Sequence, residues 1–265
     1  MIAMKESISE ERGDPLMVRA VEKAFRVLGT FDASHPRQTL TQIAGRTGLD
    51  RSAAQRFIHT LSQLGYLRKD ERTKAYELTP KALSLAYQYS RSSPLVLRTH
   101  PYLSHLNRTT EETISLTVLD EGDIIYLSRY LSPNVLDTDV NVGSRLPAYC
   151  TAGGLALLSV LKDEEVNDLL ARSQLRAFTS KTIYDVEGIW RQIRLVRERG
   201  FSLVQEQIYS GDISIACPIV SSDRQTIAAV SLGASKFRYD EETIIHRFIP
   251  TLIAAGRSIS QVLPG

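Results

Sequence analysis

Residues 41–64, TQIAGRTGLDRSAAQRFIHTLSQL, have the pattern of two helices joined by a tight turn. Gly48 suits the turn because a residue without a Cβ readily adopts a left-handed conformation, and Asp50 is a suitable N-cap for the second helix. Apolar residues recur along the second helix at helical spacing, at Ala54, Phe57, Ile58, Leu61 and Leu64. The opposite arc is polar and carries Arg51, Ser52, Gln55, Arg56, His59 and Gln63.

This polar arc contains side chains that read base edges in the DNA major groove. Arginine pairs with guanine, glutamine pairs with adenine, and serine pairs with either base. A helix with such a face, placed after a short helix and a glycine turn, predicts a helix-turn-helix. We therefore expect base and backbone contacts from Arg51, Ser52, Gln55, Arg56 and His59. The alternative is an ordinary helical hairpin with a solvated polar face.

The flanking sequence extends this motif to a winged helix-turn-helix over residues 15–78. Upstream, an apolar stripe suited to a supporting first helix consists of Val18, Val21, Ala24, Phe25, Leu28 and Phe31. Downstream, residues 66–68 and 75–78 have strand-like composition and flank a polar hairpin tip at residues 69–74. Arg68 and Arg72 of this wing are expected to contact DNA phosphates.

Charge is distributed unevenly along the chain. Residues 16–82 contain 12 lysines and arginines against 6 acidic residues, whereas residues 83–265 contain 18 against 20. The formal net charge of +2 therefore conceals a basic head on a slightly acidic body. A basic head supplies the phosphate neutralisation that DNA affinity requires, although chance variation in surface charge is the alternative.

Length and composition limit the remaining possibilities. The chain has 265 residues, more than one DNA-binding head needs, so a second domain is expected. No apolar run reaches the length of a membrane span. Its two cysteines, Cys150 and Cys217, are too few for a disulfide framework, which favours a cytoplasmic protein without membrane association. Residues 1–14 are polar and of mixed charge, and we expect a disordered arm.

Residues 79–95 are expected to form a linker helix that also contributes a dimer contact. Thr79-Pro80 is a helix start signal, with threonine as N-cap and proline at the first helical position, and Ser93-Pro94 repeats it. Leu83 and Tyr87 would face the second copy. A core helix of the body is the alternative.

The body, residues 96–265, groups its strands instead of alternating each strand with a helix. Strand-like stretches lie at residues 113–119, 123–130 and 136–142, and again at 201–208, 213–220 and 226–234. Helical patterns lie at residues 152–161, 164–173, 186–198 and 240–262. This order predicts an α+β domain with an antiparallel sheet flanked by helices.

Sequence signatures of catalysis are absent. The five histidines are scattered, and the chain contains no CxxC, HExxH, GxSxG or GxxxxGK[ST] motif. The side chains of the adjacent pairs Glu111-Glu112 and Glu241-Glu242 would diverge on a helix, which disfavours an acid/base pair. We therefore expect no catalytic activity, no metal site and no cofactor.

Several sequence segments resemble those of the IclR family of bacterial transcription regulators. They are the head, the linker that starts at Thr79-Pro80, RLPAYCTAGGLALLS at residues 145–159 and SGDISIACPIVSSDRQTIAAVSLGA at residues 210–234. The resemblance implies an N-terminal winged helix-turn-helix and a C-terminal, GAF/PAS-like effector-binding domain, assembled as a homodimer or a dimer of dimers. LGYL at residues 64–67 and AYQYSRSSPL at residues 86–95 resemble the branch that controls aromatic-acid catabolism through the β-ketoadipate pathway.

An effector site is predicted where a loop becomes a helix, at Thr151, Ala152, Gly153 and Gly154. Amide groups at a helix start lack helical partners and favour an anion such as a carboxylate. The resemblance adds Asp212, Cys217 and Ser231, and an aromatic wall for a ring acid is expected from Tyr126, Tyr130 and Tyr149. In the alternative reading, both glycines serve tight packing, Cys217 is a small buried hydrophobe and Ser231 is a satisfied strand hydroxyl.

These patterns together predict a ligand-responsive regulator of catabolic genes. Because one helix-turn-helix covers only a half-site, its DNA partner is expected to be a near-palindromic double-stranded operator bound by a dimer. Its effector is expected to be a small organic acid, and the resemblance to the aromatic-acid branch implies a ring acid. The alternative is a small-molecule sensor or interaction module without sequence-specific DNA binding.

Overall fold

The computed structural model describes residues 14, 16–133, 139–223 and 227–263. These residues form two compact units, and the division follows Gln88, inside the predicted linker helix. The predicted arm at residues 1–14 lies outside the described residues except for Asp14.

The first unit begins with three helices, α1 (Arg19–Leu28), α2 (Leu40–Thr47) and α3 (Arg51–Gln63). Thr39 and Gln42 form a capping box at the start of α2, and α2 ends at Gly48, whose φ of 67° is left-handed. The Asp50 carboxylate then caps α3 by accepting a 2.8 Å hydrogen bond from the Ala53 amide. The shared core consists of Val27, Ile43, Ile58, Leu61 and Leu67. The helix-turn-helix is therefore built as the sequence pattern predicts.

The apolar stripe predicted for α1 is only partly buried. Val27, which the stripe omitted, is fully buried, whereas Val21 is 53% exposed and Phe25 is 61% exposed. The apolar arc of α1 is wider than the face that α2 and α3 cover, so one row of large side chains remains at the surface.

A two-stranded wing follows, with β1 (Leu67–Lys69) antiparallel to β2 (Tyr76–Leu78). Arg68 lies opposite Glu77 in this pair. Gln38 adds a short bridge to Tyr76, with backbone hydrogen bonds of 3.0 and 2.7 Å in the two directions. The wing is thus tied by backbone pairing to the loop that precedes α2.

Both predicted helix start signals appear in the structure. Thr79 caps a 3₁₀ turn at Pro80–Ala82 that continues into α4 (Leu83–Ser92). Ser93 caps α5 (Pro94–Thr110) by accepting from the Val96 amide at 3.4 Å. In both cases proline occupies the first helical turn, where its missing N–H leaves no hydrogen bond unmade.

The second unit contains a six-stranded antiparallel sheet in the order β5-β4-β3-β8-β7-β6. The strands are β3 (Thr113–Asp120), β4 (Asp123–Tyr130), β5 (Arg145–Pro147), β6 (Ser202–Gln205), β7 (Asp212–Val220) and β8 (Ile227–Ser235). The remaining helices are α6 (Ala152–Ser159), α7 (Asp163–Arg172), α8 (Val186–Arg199) and α9 (Glu241–Val262). The α+β prediction is confirmed.

The described part of the strand predicted at residues 136–142 does not form a strand. Residues 134–138 lie outside the described residues, and residues 139–142 are not in a strand. The third strand is β5 instead, since the backbone of Tyr126 pairs with Gly143 and Ser144, and β5 continues along β4 from there. The backbone groups at this edge of β4 are therefore taken by residues that follow the predicted strand.

Helices cover both faces of the sheet. On one face α5 and α9 pack against β3, β7 and β8, around Leu116, Ile215, Val230 and Phe248. On the other face α6 packs against β7 and β8 and is itself covered by α8. Because side chains alternate along a strand, the sheet presents a different set of residues to each helical layer. Among the residues described, none of the helices combines the length and apolar character that a membrane crossing requires.

Candidate functional site

The polar arc predicted to read DNA lies on one surface of α3. Arg51, Ser52, Gln55, Arg56 and His59 are all exposed, while Ala54, Ile58 and Leu61 on the opposite side are buried. The Arg51 guanidinium donates to the Thr41 hydroxyl at 3.2 Å, which links the starts of α2 and α3. The arrangement presents two arginines, one glutamine and one serine from the first half of a single helix, the part that normally meets base edges.

The two wing arginines differ in their surroundings. Arg68 is bound by the Glu77 carboxylate, which also accepts a 2.8 Å hydrogen bond from Arg37. This double pairing lowers the pKa of Glu77 and keeps the carboxylate ionised. Arg72 is exposed at the hairpin tip, where the Asp70 carboxylate fixes the backbone by accepting from the amide of Arg72 at 2.8 Å. A phosphate at Arg68 would compete with Glu77.

A cavity of about 70 Å³ lies between the start of α6 and the face of the sheet that α6 covers. Its roof is formed by Cys150, Thr151, Ala152 and Gly153. Its apolar walls come from Val140, Leu146, Val204 and Ile208, and two tyrosines, Tyr126 and Tyr209, also line it. The remaining lining residues belong to the sheet and are polar or small: Thr113, Ser115, Arg129, Asp212, Ser214, Ser231 and Gly233.

The floor of the cavity is ordered by strand register. Ser115 on β3 lies opposite Arg129 on β4 and opposite Ser231 on β8, so these three side chains share one row across the sheet. The next row brings Thr113, Gly233 and Ser214 together in the same way. Residues that lie directly opposite each other on neighbouring antiparallel strands have Cβ atoms about 5 Å apart, which places the Ser115 hydroxyl beside the arginine and Ser231 one strand further away.

Two ionisable groups of opposite sign line the cavity, Arg129 and Asp212. Burial raises the pKa of Asp212 to about 6, against the lowering effects of a 2.8 Å hydrogen bond from the Ser214 hydroxyl and of the Arg129 charge. Burial also lowers the pKa of Arg129. The Arg129 guanidinium lies 5.8 Å from the centre of the Tyr126 ring, and burial raises the pKa of Tyr126 to about 12.

The start of α6 offers fewer free amides than the sequence predicts. The Thr151 hydroxyl accepts from the Gly154 amide at 3.2 Å, so that amide already has a partner. A Cβ on Gly154 would overlap the backbone of Ala148, and a Cβ on Gly153 would lie 2.7 Å from the Thr117 hydroxyl oxygen. Gly154 therefore serves close packing and lies outside the cavity lining, whereas Thr151, Ala152 and Gly153 do line it.

The structure does not bring Cys217 to the cavity. Asp212 and Ser214 of β7 face the cavity, so Cys217, an odd number of positions further on, faces α9 on the other side of the sheet. Its thiol contacts the backbone oxygen of Leu252 at 3.4 Å. The placement of Cys217 in the effector site is therefore corrected: it is a small buried side chain of the α9 layer. Asp212 and Ser231 do line the cavity.

Of the three tyrosines expected as aromatic walls, only Tyr126 lines this cavity. The Tyr130 hydroxyl contacts the His100 ring nitrogen at 2.5 Å on the α5 side of the sheet. Tyr149 donates to the backbone oxygen of Arg176 at 2.8 Å and lines a second cavity beyond the turn that precedes α6. Tyr126 and Tyr130 are four positions apart and would share one face of a regular strand. A bulge in β4 opposite Leu116 and Thr117 shifts the register between them, so they face opposite sides of the sheet.

Sequence reasoning missed many of the lining residues, among them Ser115, Arg129, Cys150 and Tyr209. An arginine inside an otherwise apolar strand, DIIYLSRY, was the available signal for Arg129. Burial raises the pKa of the Cys150 thiol to about 12, so it lines the cavity as a neutral group. Among the described residues there is no group of three histidine, cysteine, aspartate or glutamate side chains arranged to hold a metal ion.

Both units match known protein families. A family model described as the IclR helix-turn-helix domain matches residues 20–71, and one described as the bacterial transcriptional regulator IclR C-terminal region matches residues 87–261. The Pca regulon regulatory protein of Pseudomonas putida is 35% identical over 96% of this chain and 87% of its own length. The p-hydroxybenzoate hydroxylase transcriptional activator of Acinetobacter baylyi is 31% identical over 92% and 91%.

Solved structures agree with this result. A transcriptional regulator from Rhodococcus sp. RHA1 superposes with a TM-score of 0.78 at 31% identity, over 92% of this chain and 98% of that one. An IclR homologue from Microbacterium hydrocarbonoxydans, solved in complex with 4-hydroxybenzoate, has the same fold, with a TM-score of 0.75 at 24% identity over 91% and 97%. The chain belongs to the IclR family of bacterial transcriptional regulators and is a ligand-responsive, DNA-binding member of it.

Proposed function

We propose that this regulator controls genes for the breakdown of aromatic acids and responds to such an acid bound in the cavity beneath α6. The observation that carries the proposal is the cavity itself, which combines apolar and tyrosine walls with a row of hydroxyls, one arginine and a helix start. A ring acid needs both kinds of surface. The proteins named for pca and p-hydroxybenzoate regulation support the pathway class.

The test is a ligand screen with two readouts. Thermal unfolding is measured with benzoate, 4-hydroxybenzoate, 3,4-dihydroxybenzoate, adipate and pyruvate, because a ligand that binds the native state raises its apparent stability. Binding to a fluorescent fragment of the adjacent promoter is then measured with each acid. Stabilisation and altered DNA binding by ring acids are expected. If only pyruvate or adipate acts, the aromatic assignment is wrong, while the regulator assignment stands.

We further propose that Arg51, Ser52, Gln55, Arg56 and His59 face the operator, and that Arg72 and Arg68 contact phosphates. Their common exposed surface on α3 and the wing supports this role. A DNA-binding regulator acts where the chromosome lies, so the proposal places the protein in the cytoplasm. If the protein binds promoter and unrelated DNA equally at every salt concentration, it is a sensor without sequence-specific DNA binding.

A dimer on a near-palindromic operator completes the proposal. In addition to the exposed row on α1, the linker helix carries Leu83 at 69% exposure and Tyr87 at 67%. Large apolar side chains on two helices of one small unit suggest contact with a second copy. Light scattering should give twice or four times the 29.6 kDa chain mass. Phe25→Ser with Leu83→Ser should shift it toward the monomer, and a wild-type monomer on and off DNA contradicts the proposal.

A further inference from the structure

The charges that line the cavity bear on how an acid would be oriented in it. The inference rests on the proposed function, since it concerns the same site and the same class of ligand. Three groups could receive a carboxylate or repel it: the start of α6, Arg129 and Asp212. The three groups differ in charge and in their hydrogen-bond partners, and these differences favour one orientation of the ligand over the others.

The start of α6 is the weaker anchor. The Gly154 amide is held by the Thr151 hydroxyl, and the Leu155 amide bonds to the Thr151 carbonyl at 2.9 Å. Only the amides of Ala152 and Gly153 remain in the first turn of a helix that is eight residues long. These groups carry partial charges, whereas an arginine carries a full one.

Arg129 is the stronger anchor. It lines the cavity from β4, and in the same row of the sheet Ser115 lies next to it on β3, with Ser231 one strand further on β8. A guanidinium offers two parallel N–H donors that match the two oxygens of a carboxylate, and adjacent hydroxyls add further donors. Because burial weakens competition from water, a charge-assisted hydrogen bond here gains more than it would at the surface.

Asp212 restricts what the rest of the ligand can be. It lies at the start of β7 and accepts a hydrogen bond from Ser214, and the ionisable groups near it include Arg129, Glu206, Tyr209 and Tyr126. An ionised carboxyl group accepts a hydrogen bond from a hydroxyl but repels a second carboxylate, so it penalises dicarboxylates. A phenolic hydroxyl on the ligand would instead find an acceptor.

We propose that the effector is a hydroxylated aromatic monocarboxylate whose carboxylate binds Arg129, Ser115 and Ser231 and whose hydroxyl donates to Asp212. Arg129 thus determines that the ligand is an acid, and Asp212 determines that it carries one acidic group only. The start of α6 contacts the ring face of the ligand and closes the site above it.

The first experiment tests the Arg129 assignment by calorimetry with 4-hydroxybenzoate and its neutral amide, 4-hydroxybenzamide. The wild type should prefer the acid by at least tenfold. Arg129→Met keeps an unbranched apolar side chain, removes the guanidinium group and should reduce that preference to less than threefold. Arg145→Met is the matched control, because Arg145 lies on the neighbouring strand, pairs with Asp120 and Asp123, and does not line the cavity.

An Arg129→Met protein that retains the full preference for the acid would overturn the assignment. The amides at the start of α6 would then be the binding site of the carboxylate. If this variant does not fold, Arg129→Lys tests the assignment through the affinity for the acid, since it keeps the charge but loses the paired donors, and an unchanged affinity would overturn the assignment. The lysine variant should keep a preference for the acid and lose several-fold in affinity.

The second experiment tests Asp212 with 4-hydroxybenzoate, benzoate and adipate as probes at pH 7.5. The wild type should bind 4-hydroxybenzoate at least tenfold more tightly than either of the others. Asp212→Asn should reduce the ratio of the affinities for 4-hydroxybenzoate and adipate, because the charge that repels a second carboxylate is gone. Asp123→Asn should leave this ratio unchanged. Adipate binding as tightly as 4-hydroxybenzoate in the wild type would overturn the exclusion of dicarboxylates. If none of these acids bound the wild type, the proposed function would fail as well, whereas binding with unchanged selectivity in the variants would overturn only this inference.

Discussion

Helices α3 and α6 begin in the same way and differ in everything that follows. Each has a side-chain N-cap that accepts from the third amide of the helix, Asp50 from Ala53 and Thr151 from Gly154. Along α3 the polar side chains are exposed in one arc, whereas every residue of α6 is buried. One helix acts through the side chains that it presents to solvent. The other acts through its close fit to a sheet.

This difference explains which substitutions are tolerated. On α3 a changed polar side chain alters what the surface recognises and leaves the core intact. On α6 even a methyl group changes the distance between helix and sheet, because the interior is close-packed. The following four predictions test that contrast, from the largest expected effect to the smallest.

Gly154→Ala should be the most damaging single methyl group in the effector unit. Its Cβ would overlap the backbone of Ala148, which cannot rotate away, and such overpacking costs about 3 kcal/mol or more. Gly153→Ala should cost less, roughly 1–2 kcal/mol, because its Cβ meets the Thr117 side chain, which can shift. Urea unfolding followed by the fluorescence of the single tryptophan, Trp190, measures both. Equal stabilities for the two variants would contradict the packing argument.

The same geometry makes Gly153→Leu an unsuitable test of ligand binding by itself. A large side chain at that position would press on Thr117 as well as on the ligand. Loss of response in that variant would therefore report on packing and binding together.

Asp212→Asn should stabilise the protein at alkaline pH and have no effect at acid pH. The native pKa of about 6 lies above the ordinary value of 3.8, so the aspartate contributes its full stability below pH 4 and loses it as the pH rises through 6. At pH 8 the variant avoids the free-energy cost of burying an ionised carboxylate, which is about 2–3 kcal/mol for this pKa shift. Free energies of unfolding at pH 8, 6 and 4 check this, with Asp123→Asn, at a partly exposed carboxylate outside the cavity lining, as the control. A difference that does not vary with pH would show that Asp212 is not strained by burial.

Arg56→Ala should weaken specific operator binding by roughly 1–3 kcal/mol and relax the preference at one base position. Arg72→Ala should weaken binding to all sequences alike and reduce the dependence on salt. Arg68→Ala should have a smaller effect than Arg72→Ala because Glu77 already holds that guanidinium. Fluorescence anisotropy with operator and scrambled DNA over a salt series separates these effects. An Arg56→Ala protein with wild-type specificity would mean that another surface reads the bases.

Asp50→Ala should cost about 1 kcal/mol, the usual value for the loss of an exposed N-cap. The amide of Ala53 would then be hydrated, so no buried group is left without a partner. Thermal unfolding of the DNA-binding unit by circular dichroism measures the loss, and Asp50→Asn should restore most of it. A loss of several kcal/mol would show that Asp50 supports the turn as well as the helix.

Much of the DNA-binding unit was predictable from sequence. Gly48, Asp50 and the two arcs of α3 are local signals, and each was found where the pattern placed it. The buried position of Val27 was not predictable, because an arc of apolar residues does not indicate how much of it the neighbouring helices cover. The exposure of Val21 and Phe25 was not predictable for the same reason.

For the effector unit, the sequence predicts the elements but not the site that they form. Its elements, its α+β class and the position of α6 after a turn were determined by the sequence itself, because periodicity and start signals are local properties. Only the tertiary structure decided the cavity. Arg129 and Asp212 are far apart in the chain and line the same cavity through strand register, and Cys217 faces away from them through strand alternation. Register and facing depend on which strands pair, and pairing is an outcome of the whole fold that no single stretch of sequence contains.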